Sequence, residues 1–377
     1  MQHLDKLGYY EVNGKKYLHK MEAFVQAKSW NKVNYIFNDQ YFEKYDWTKE
    51  PQPNLSLQDF YRIRAQQIRN EFDYVVLMYS GGPDSQNMVE TFVDNQIPFD
   101  EMVCINSYDR TKMHYGTIHN ADWIHNSKPS LDRWIKDFNL KSRVTVIDEI
   151  ELTKNYFKVL ENQGDWQFVY NTAAFASQDI FKLNWVKNVD HLWRIILSGK
   201  KVGIIFGTEK PTITVDKTNR YYTRWFDLGL TDSHFFMSED SNLKASEIKV
   251  LFYSSVDNMD LIAKQLHSLK NFMDKYRGDE FYDILPKDKK HRPPHICINK
   301  HNGKNLKYNI YHKIIYPKWN PSIITPKGFA MIDKRVQDNW WLNQLDPKET
   351  AFYKNSWNKF AKFGFLPMIF SKPLYIE

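Results

Sequence analysis

Tyr74-Val75-Val76-Leu77-Met78-Tyr79-Ser80-Gly81-Gly82-Pro83-Asp84-Ser85 is the stretch that decides the reading of this chain. Its first six residues form a short, unbroken apolar run, the pattern of a parallel strand buried on both faces. The next six are a turn. Two adjacent glycines let backbone fold tightly and approach a ligand without a Cβ in the way. Glycine is scarce, 14 in 377 residues, so a pair needs a local reason. Pro83 suits a first helical turn, where its missing N–H costs nothing. From Gln86 to Gln96, the apolar residues Met88, Val89, Phe92 and Val93 follow helical spacing. A helix N-terminus offers unpaired N–H groups and partial positive charge, and Ser80 and Ser85 add hydroxyls. The whole is an anion cradle of the sort that holds phosphates. An aspartate in an anion site is best used on a bridging magnesium ion, which makes Asp84 the candidate metal ligand. A plain βα turn with serine caps is the competing reading. It would win for a lone Gly-Gly pair, but not for the full hexapeptide between strand and helix.

Working outward, Leu57 to Asn70 reads as a helix preceding this strand, and Tyr9 to Tyr17 as a hairpin around Asn13-Gly14. After the turn come strands over 101–105, 143–147 and 202–206, the last ending at Gly207. Helices are expected over 114–138, with a break at Lys128-Pro129-Ser130, and over 153–163 and 173–198. Strands alternating with helices imply a parallel sheet. Beyond residue 212 the pattern changes: 242–275 and 330–362 read as helical, and Pro286 to Pro294 as an exposed loop. The expected fold class is α/β, a Rossmann-like parallel sheet with helices on both faces, plus a mostly helical C-terminal region. The expected organisation is a mixed lead-in over 1–70, a nucleotide-binding domain over 71–212, and a substrate or partner region over 213–377.

Ser80, Gly81, Gly82, Asp84 and Ser85 match the Ser-Gly-Gly-x-Asp-Ser signature, and the chain resembles the PP-loop family of ATP pyrophosphatases over roughly residues 72–211. That family includes asparagine, argininosuccinate, GMP and NAD synthetases, tRNA lysidine synthetase, tRNA thiolases and phosphoadenosine-phosphosulfate reductases. The sheet is similar to that of the reductase branch. The resemblance implies a HUP-type Rossmann-like fold that binds ATP with Mg2+ and cleaves ATP to AMP and pyrophosphate. It is not a Walker A loop, because no Gly-Lys-[Ser/Thr] follows.

The resemblance also points to the other strand ends. Asn106, closing the second strand, is a candidate for the adenine or ribose, against an ordinary strand-end role. Gly207 and Thr208 are candidates for the nucleotide. Lys210 is a candidate for neutralising a phosphate, and Glu209 for holding metal or polarising a substrate, against a solvated turn. Asp84, Lys210 and Glu209 are thus the expected catalytic set. Arg224 and Asp227 are weaker candidates for the acceptor or metal side. His114, His119 and His125 stand five and six residues apart, a spacing that does not gather three ligands on one helical face.

The bulk numbers narrow the chemistry. Hydrophobic residues make up 42% and charged residues 26%, as in an ordinary globular chain, with a high aromatic share of 16%. The net charge of +7 suits an anionic ligand, whether nucleotide or nucleic acid. Two cysteines, Cys104 and Cys297, with no CxxC spacing, disfavour a disulfide framework, metal ligation and sulfur transfer. The first residues carry no signal-peptide pattern and no apolar run nears the roughly 18 residues of a membrane span, so a cytoplasmic location away from membranes is expected. The bias toward Asn, Lys, Tyr, Phe and Ile points to an AT-rich genome, such as a phage.

Two functions stay open. One is an AMP-forming ligase or amidating enzyme that adenylates an acceptor for attack by nitrogen. The other is a nucleotide-dependent nucleic-acid-binding or base-modifying protein, or a module without turnover, with tRNA or DNA as partner. The second draws on the net charge, the aromatics and the basic segment Lys287 to Arg292.

Overall fold

The computed structural model describes residues 8–17, 32–37, 42–106, 127–137, 142–148, 189–207, 210–216, 218–225, 247–275, 296–299, 303–306 and 369–376. It also describes 23, 26, 27, 186, 227, 312, 314–316 and 318. The chain opens with a hairpin of β1 (Tyr9–Val12) and β2 (Lys15–Tyr17), with Val12 paired to Lys15 around the expected Asn13-Gly14 turn. β3 (Asn34–Ile36) pairs antiparallel with the other edge of β1. Helix α1 (Leu57–Glu71) begins on a capping box. The Ser56 hydroxyl accepts from the Asp59 N–H, and the Asp59 carboxylate accepts from the Ser56 N–H.

The alternating region follows as β4 (Tyr74–Met78), α2 (Pro83–Asp94), β5 (Glu101–Asn106), α3 (Lys128–Asp137), β6 (Arg143–Asp148), α4 (Asp190–Leu197) and β7 (Val202–Phe206). Helix α2 starts three residues earlier than its apolar spacing implied. Gly82 takes the cap and Pro83 the first helical position, so Asp84 and Ser85 already lie in the first turn. Helix α3 starts where a break was expected, at Lys128-Pro129, because proline is at home in a first turn. Of the helix expected over 173–198, residues 190–197 are helical; 153–163, 107–126 and 330–362 lie outside the described residues, as do Lys287 to Arg292.

After β7 come β8 (Thr214–Val215), β9 (Tyr221–Thr223), β10 (Glu247–Leu251), α5 (Met259–Lys275), β11 (Ile296–Asn299), β12 (Gly303–Leu306) and β13 (Leu374–Tyr375). One expectation is corrected here. Residues 247–251, read as helical, are a strand parallel to β7, with Leu251 opposite Phe206; helix begins only at Met259. A five-residue run is too short for periodicity to separate strand from helix, and pairing with β7 settles it. Besides α5, the described residues beyond 212 hold a second sheet in the order β11-β12-β8-β9-β13, antiparallel throughout. Strands of two to four residues with partners far along the chain leave little trace in local pattern.

The main sheet has the order β10-β7-β4-β5-β6, parallel throughout. Successive residues of β4 point to opposite faces. Val75 and Leu77 join a core with Phe60, Ala65 and Ile68 of α1, Met88 and Phe92 of α2, Trp134 of α3, and Leu266 of α5. Val76 and Met78 join a second core with Val103, Ile204, and Leu192 and Ile196 of α4. Helices therefore cover both faces, and the fold is α/β and Rossmann-like. From β4 the chain steps outward to β5 and β6, then returns to β7 on the other side and on to β10. The strand order reverses between β4 and β7, and crevices at such a reversal are where open α/β sheets bind ligands. Among the described residues no helix is long and apolar enough to cross a membrane.

Candidate functional site

The Ser80–Ser85 turn leaves the carboxyl end of β4 at that reversal, with Gly207 at the end of neighbouring β7. Gly81 has a φ of 71°, in the left-handed region that only glycine enters cheaply. Gly82 caps α2 with no side-chain hydrogen bond, so no side chain of its own occupies the helix N-terminus. The turn is held from within: the Ser85 hydroxyl donates to the Gly82 carbonyl at 3.1 Å and accepts from the Ser80 N–H at 3.2 Å. The Ser127 hydroxyl donates to the Ser80 carbonyl at 2.5 Å, tying the turn to the residue preceding α3. Behind it, Gln86 accepts from the Tyr79 hydroxyl at 2.7 Å.

Gly207 packs directly against the turn. A Cβ there would lie 2.8 Å from the Asp84 carbonyl oxygen and 3.0 Å from the Ser85 Cα, closer than real contacts allow. A nucleotide-facing role was expected of Gly207 from the strand end; what the packing shows is that a residue without a Cβ lets the ends of β4 and β7 close together.

Asp84 is the hub. Its Oδ1 lies 2.6 Å from Lys210 Nζ, accepts the Tyr316 hydroxyl at 2.7 Å, and stands 3.5 Å from His312 Nε2. Its backbone carbonyl accepts the Tyr253 hydroxyl at 2.7 Å, and that hydroxyl accepts from Asn87 Nδ2 at 2.9 Å. Burial alone would raise the Asp84 carboxyl, but the charge of Lys210 and the contacts of His312 overcome it and hold the group well below the usual carboxylate range. Burial, then the charge of Asp84, pushes the Tyr316 phenol well above its ordinary value, so it is a neutral donor. Tyr253 is raised for the same leading reason.

The structure thus brings Ser80, Gly81, Gly82, Pro83, Asp84, Ser85, Gly207 and Lys210 together. Asn106 ends β5 opposite Asp148, one strand away; its side chain, Thr208, Glu209 and the 114–125 histidines lie outside the described residues. Asp227 is placed elsewhere. It is fully buried, accepting the Tyr10 hydroxyl at 2.7 Å and the Ile369 N–H at 3.0 Å. Arg224 lies over the Tyr222 ring. Cys104 is fully buried within β5. Among the described residues no group of three or more His, Cys, Asp or Glu could hold a metal ion by itself. Asp84 remains as a single carboxylate, which suits magnesium held largely by phosphates.

Sequence reasoning missed Tyr253, His312, Tyr316 and Asn87. For Tyr253 a signal existed: Val250-Leu251-Phe252-Tyr253-Ser254 repeats the apolar-run-then-Tyr-Ser pattern of Leu77-Met78-Tyr79-Ser80. His312 and Tyr316 had none, standing more than 220 residues from Asp84.

No family model matches the chain, and no curated protein matches it. Among solved structures, the chain is similar to the NH3-dependent NAD synthetase from Campylobacter jejuni in complex with the nitrate ion, at 14% identity, covering 84% of this chain and 99% of that one, with a TM-score of 0.31. A likeness that loose bears on neither site nor chemistry; strand order, register and the side chains named above do.

Proposed function

We propose that this chain binds ATP with its phosphates at Ser80–Ser85 and cleaves it to AMP and pyrophosphate, adenylating an acceptor for attack by a nitrogen nucleophile. One observation carries the reading: the PP-loop hexapeptide stands at the strand-order reversal with an uncapped helix N-terminus and Lys210 beside Asp84. The N–H groups of the first turn of α2 would face the phosphates, and Lys210 would neutralise them. Magnesium, when bound, would offset charge on the departing pyrophosphate. An acceptor oxygen would attack the α-phosphorus, the bond from that phosphorus to the α–β bridging oxygen would break, and pyrophosphate would leave with the electron pair. Nitrogen would then displace AMP. Nitrogen is preferred to sulfur because Cys104 is sealed within β5 and Cys297 belongs to the second sheet.

Calorimetry with ATP, with and without magnesium, tests binding. Pyrophosphate release across a panel of carboxylate and carbonyl acceptors with ammonia tests turnover. A chain that binds no ATP sinks the proposal.

A further inference from the structure

The contacts on Asp84 are lopsided. Lys210, Tyr316 and His312 all meet Oδ1, while Oδ2 accepts no hydrogen bond among the described residues. The grip is built rigidly. The Tyr316 ring stacks on His312 at 5.6 Å and 13°, and lies 5.5 Å from the Tyr253 ring. The neighbouring Ile315 carbonyl accepts the Tyr61 hydroxyl at 2.7 Å, and that hydroxyl accepts from Gln265 Nε2 at 3.1 Å. Tyr253 meanwhile holds the backbone carbonyl of Asp84. Backbone and one carboxylate oxygen of Asp84 are thus both held.

We propose that Tyr316 and His312 are positioning residues which, together with Lys210, fix Oδ1 of Asp84 and reserve Oδ2 for the divalent cation that accompanies ATP. The inference rests on the ATP-binding reading. It gives His312 and Tyr316 a definite task at the site: orienting one carboxylate so that magnesium and nucleotide arrive as a pair. Tyr316 suits this task, because its hydroxyl lies 2.7 Å from Oδ1 and donates to it.

The test is Tyr316→Phe, which keeps the ring stack and removes the hydroxyl. ATP affinity is measured by calorimetry in chelator and in excess magnesium, alongside the melting temperature. For the wild type, magnesium should tighten ATP binding. For the variant, affinity in chelator should be unchanged and the magnesium enhancement should fall about tenfold, the scale of one hydrogen bond to a charged group. Equal loss with and without magnesium would mean a merely structural role and overturn the inference, as would an unchanged enhancement. If the wild type binds ATP with no help from magnesium, the inference fails while the ATP site stands. If it binds no ATP, both fail. Should Tyr316→Phe not fold, His312→Phe, which preserves stacking, carries the same measurement with the same expected split.

Discussion

At the scale of single residues, Asp84 and Gly207 carry the sharpest expectations. The Asp84 carboxyl is depressed in the folded state, so its ion pair stabilises the protein fully above the unfolded carboxyl value of about 4 and is lost as pH falls from there toward the lower folded value. Asp84→Asn should therefore be less stable than wild type at about pH 6, and the gap should narrow on acidification to about pH 3. Urea denaturation at the two pH values checks this; a gap of constant size would mean the carboxylate is not the charged partner. Gly207→Ala drives a Cβ against the Asp84 carbonyl, which is backbone and cannot swing aside. About 1–3 kcal/mol of stability should be lost. ATP affinity should fall with it, because the atoms that must shift belong to the Ser80–Ser85 turn proposed to hold the phosphates. Calorimetry and denaturation on one preparation read both.

At the scale of elements, the end of β10 is the instructive case. Arg64 of α1 is 2% exposed and donates to the Leu251 carbonyl at 3.0 Å and the Phe252 carbonyl at 3.2 Å. Burial lowers its guanidinium to about 10, which leaves it charged at neutral pH. It fastens a helix preceding the sheet to a strand arriving some 187 residues later, and the next residue, Tyr253, grips Asp84. Arg64→Met takes a donor from each of two carbonyls, of which Phe252 keeps only the long bond from Asn258 Nδ2 at 3.4 Å, so stability should drop by about 3 kcal/mol. ATP affinity should weaken as well, through Tyr253. The control lies at the other end of the same helix. Ser56→Ala removes the capping hydroxyl at a cost of about 1 kcal/mol and should leave ATP affinity untouched. Thermal denaturation and calorimetry separate the two; equal affinity losses would mean that any damage to α1 reaches the site.

At the scale of the whole molecule, the N-terminal sheet and the C-terminal strands are bound to each other through Asp227. Tyr10 of β1 donates to it, the Ile369 N–H donates to it, and the Asp227 N–H returns a bond to the Ile369 carbonyl at 3.1 Å. Residues from three distant parts of the chain meet on one buried carboxylate. Tyr10→Phe should cost about 2 kcal/mol of stability, since it takes a donor from a buried acceptor. ATP affinity should not change, because this network stands apart from the contacts on Asp84. An affinity loss would return Asp227 to the site.

The sequence by itself determined what local chemistry can determine. An unbroken apolar run, a Gly-Gly pair and a proline at the start of a helix specify strand, turn and helix within a dozen residues, and so Ser80–Ser85 was legible before any coordinates. So were the hairpin at Asn13-Gly14, α1, and the strands ending at Asn106 and Gly207, to within a residue or so. Lys210 was expected to neutralise a phosphate; its pairing with Asp84 was not legible. Only the tertiary structure decided that 247–253 is the fifth strand and its end, that Tyr253, His312 and Tyr316 close on Asp84, and that Asp227 is a structural anchor. The reason is range. Periodicity reports which face of an element is apolar, whereas a hydrogen bond between residues 126 to 232 positions apart depends on the order in which strands pair. A five-residue strand becomes one because β7 offers it an open edge, and Tyr253 reaches Asp84 because the sheet brings that strand's end to the Ser80–Ser85 turn.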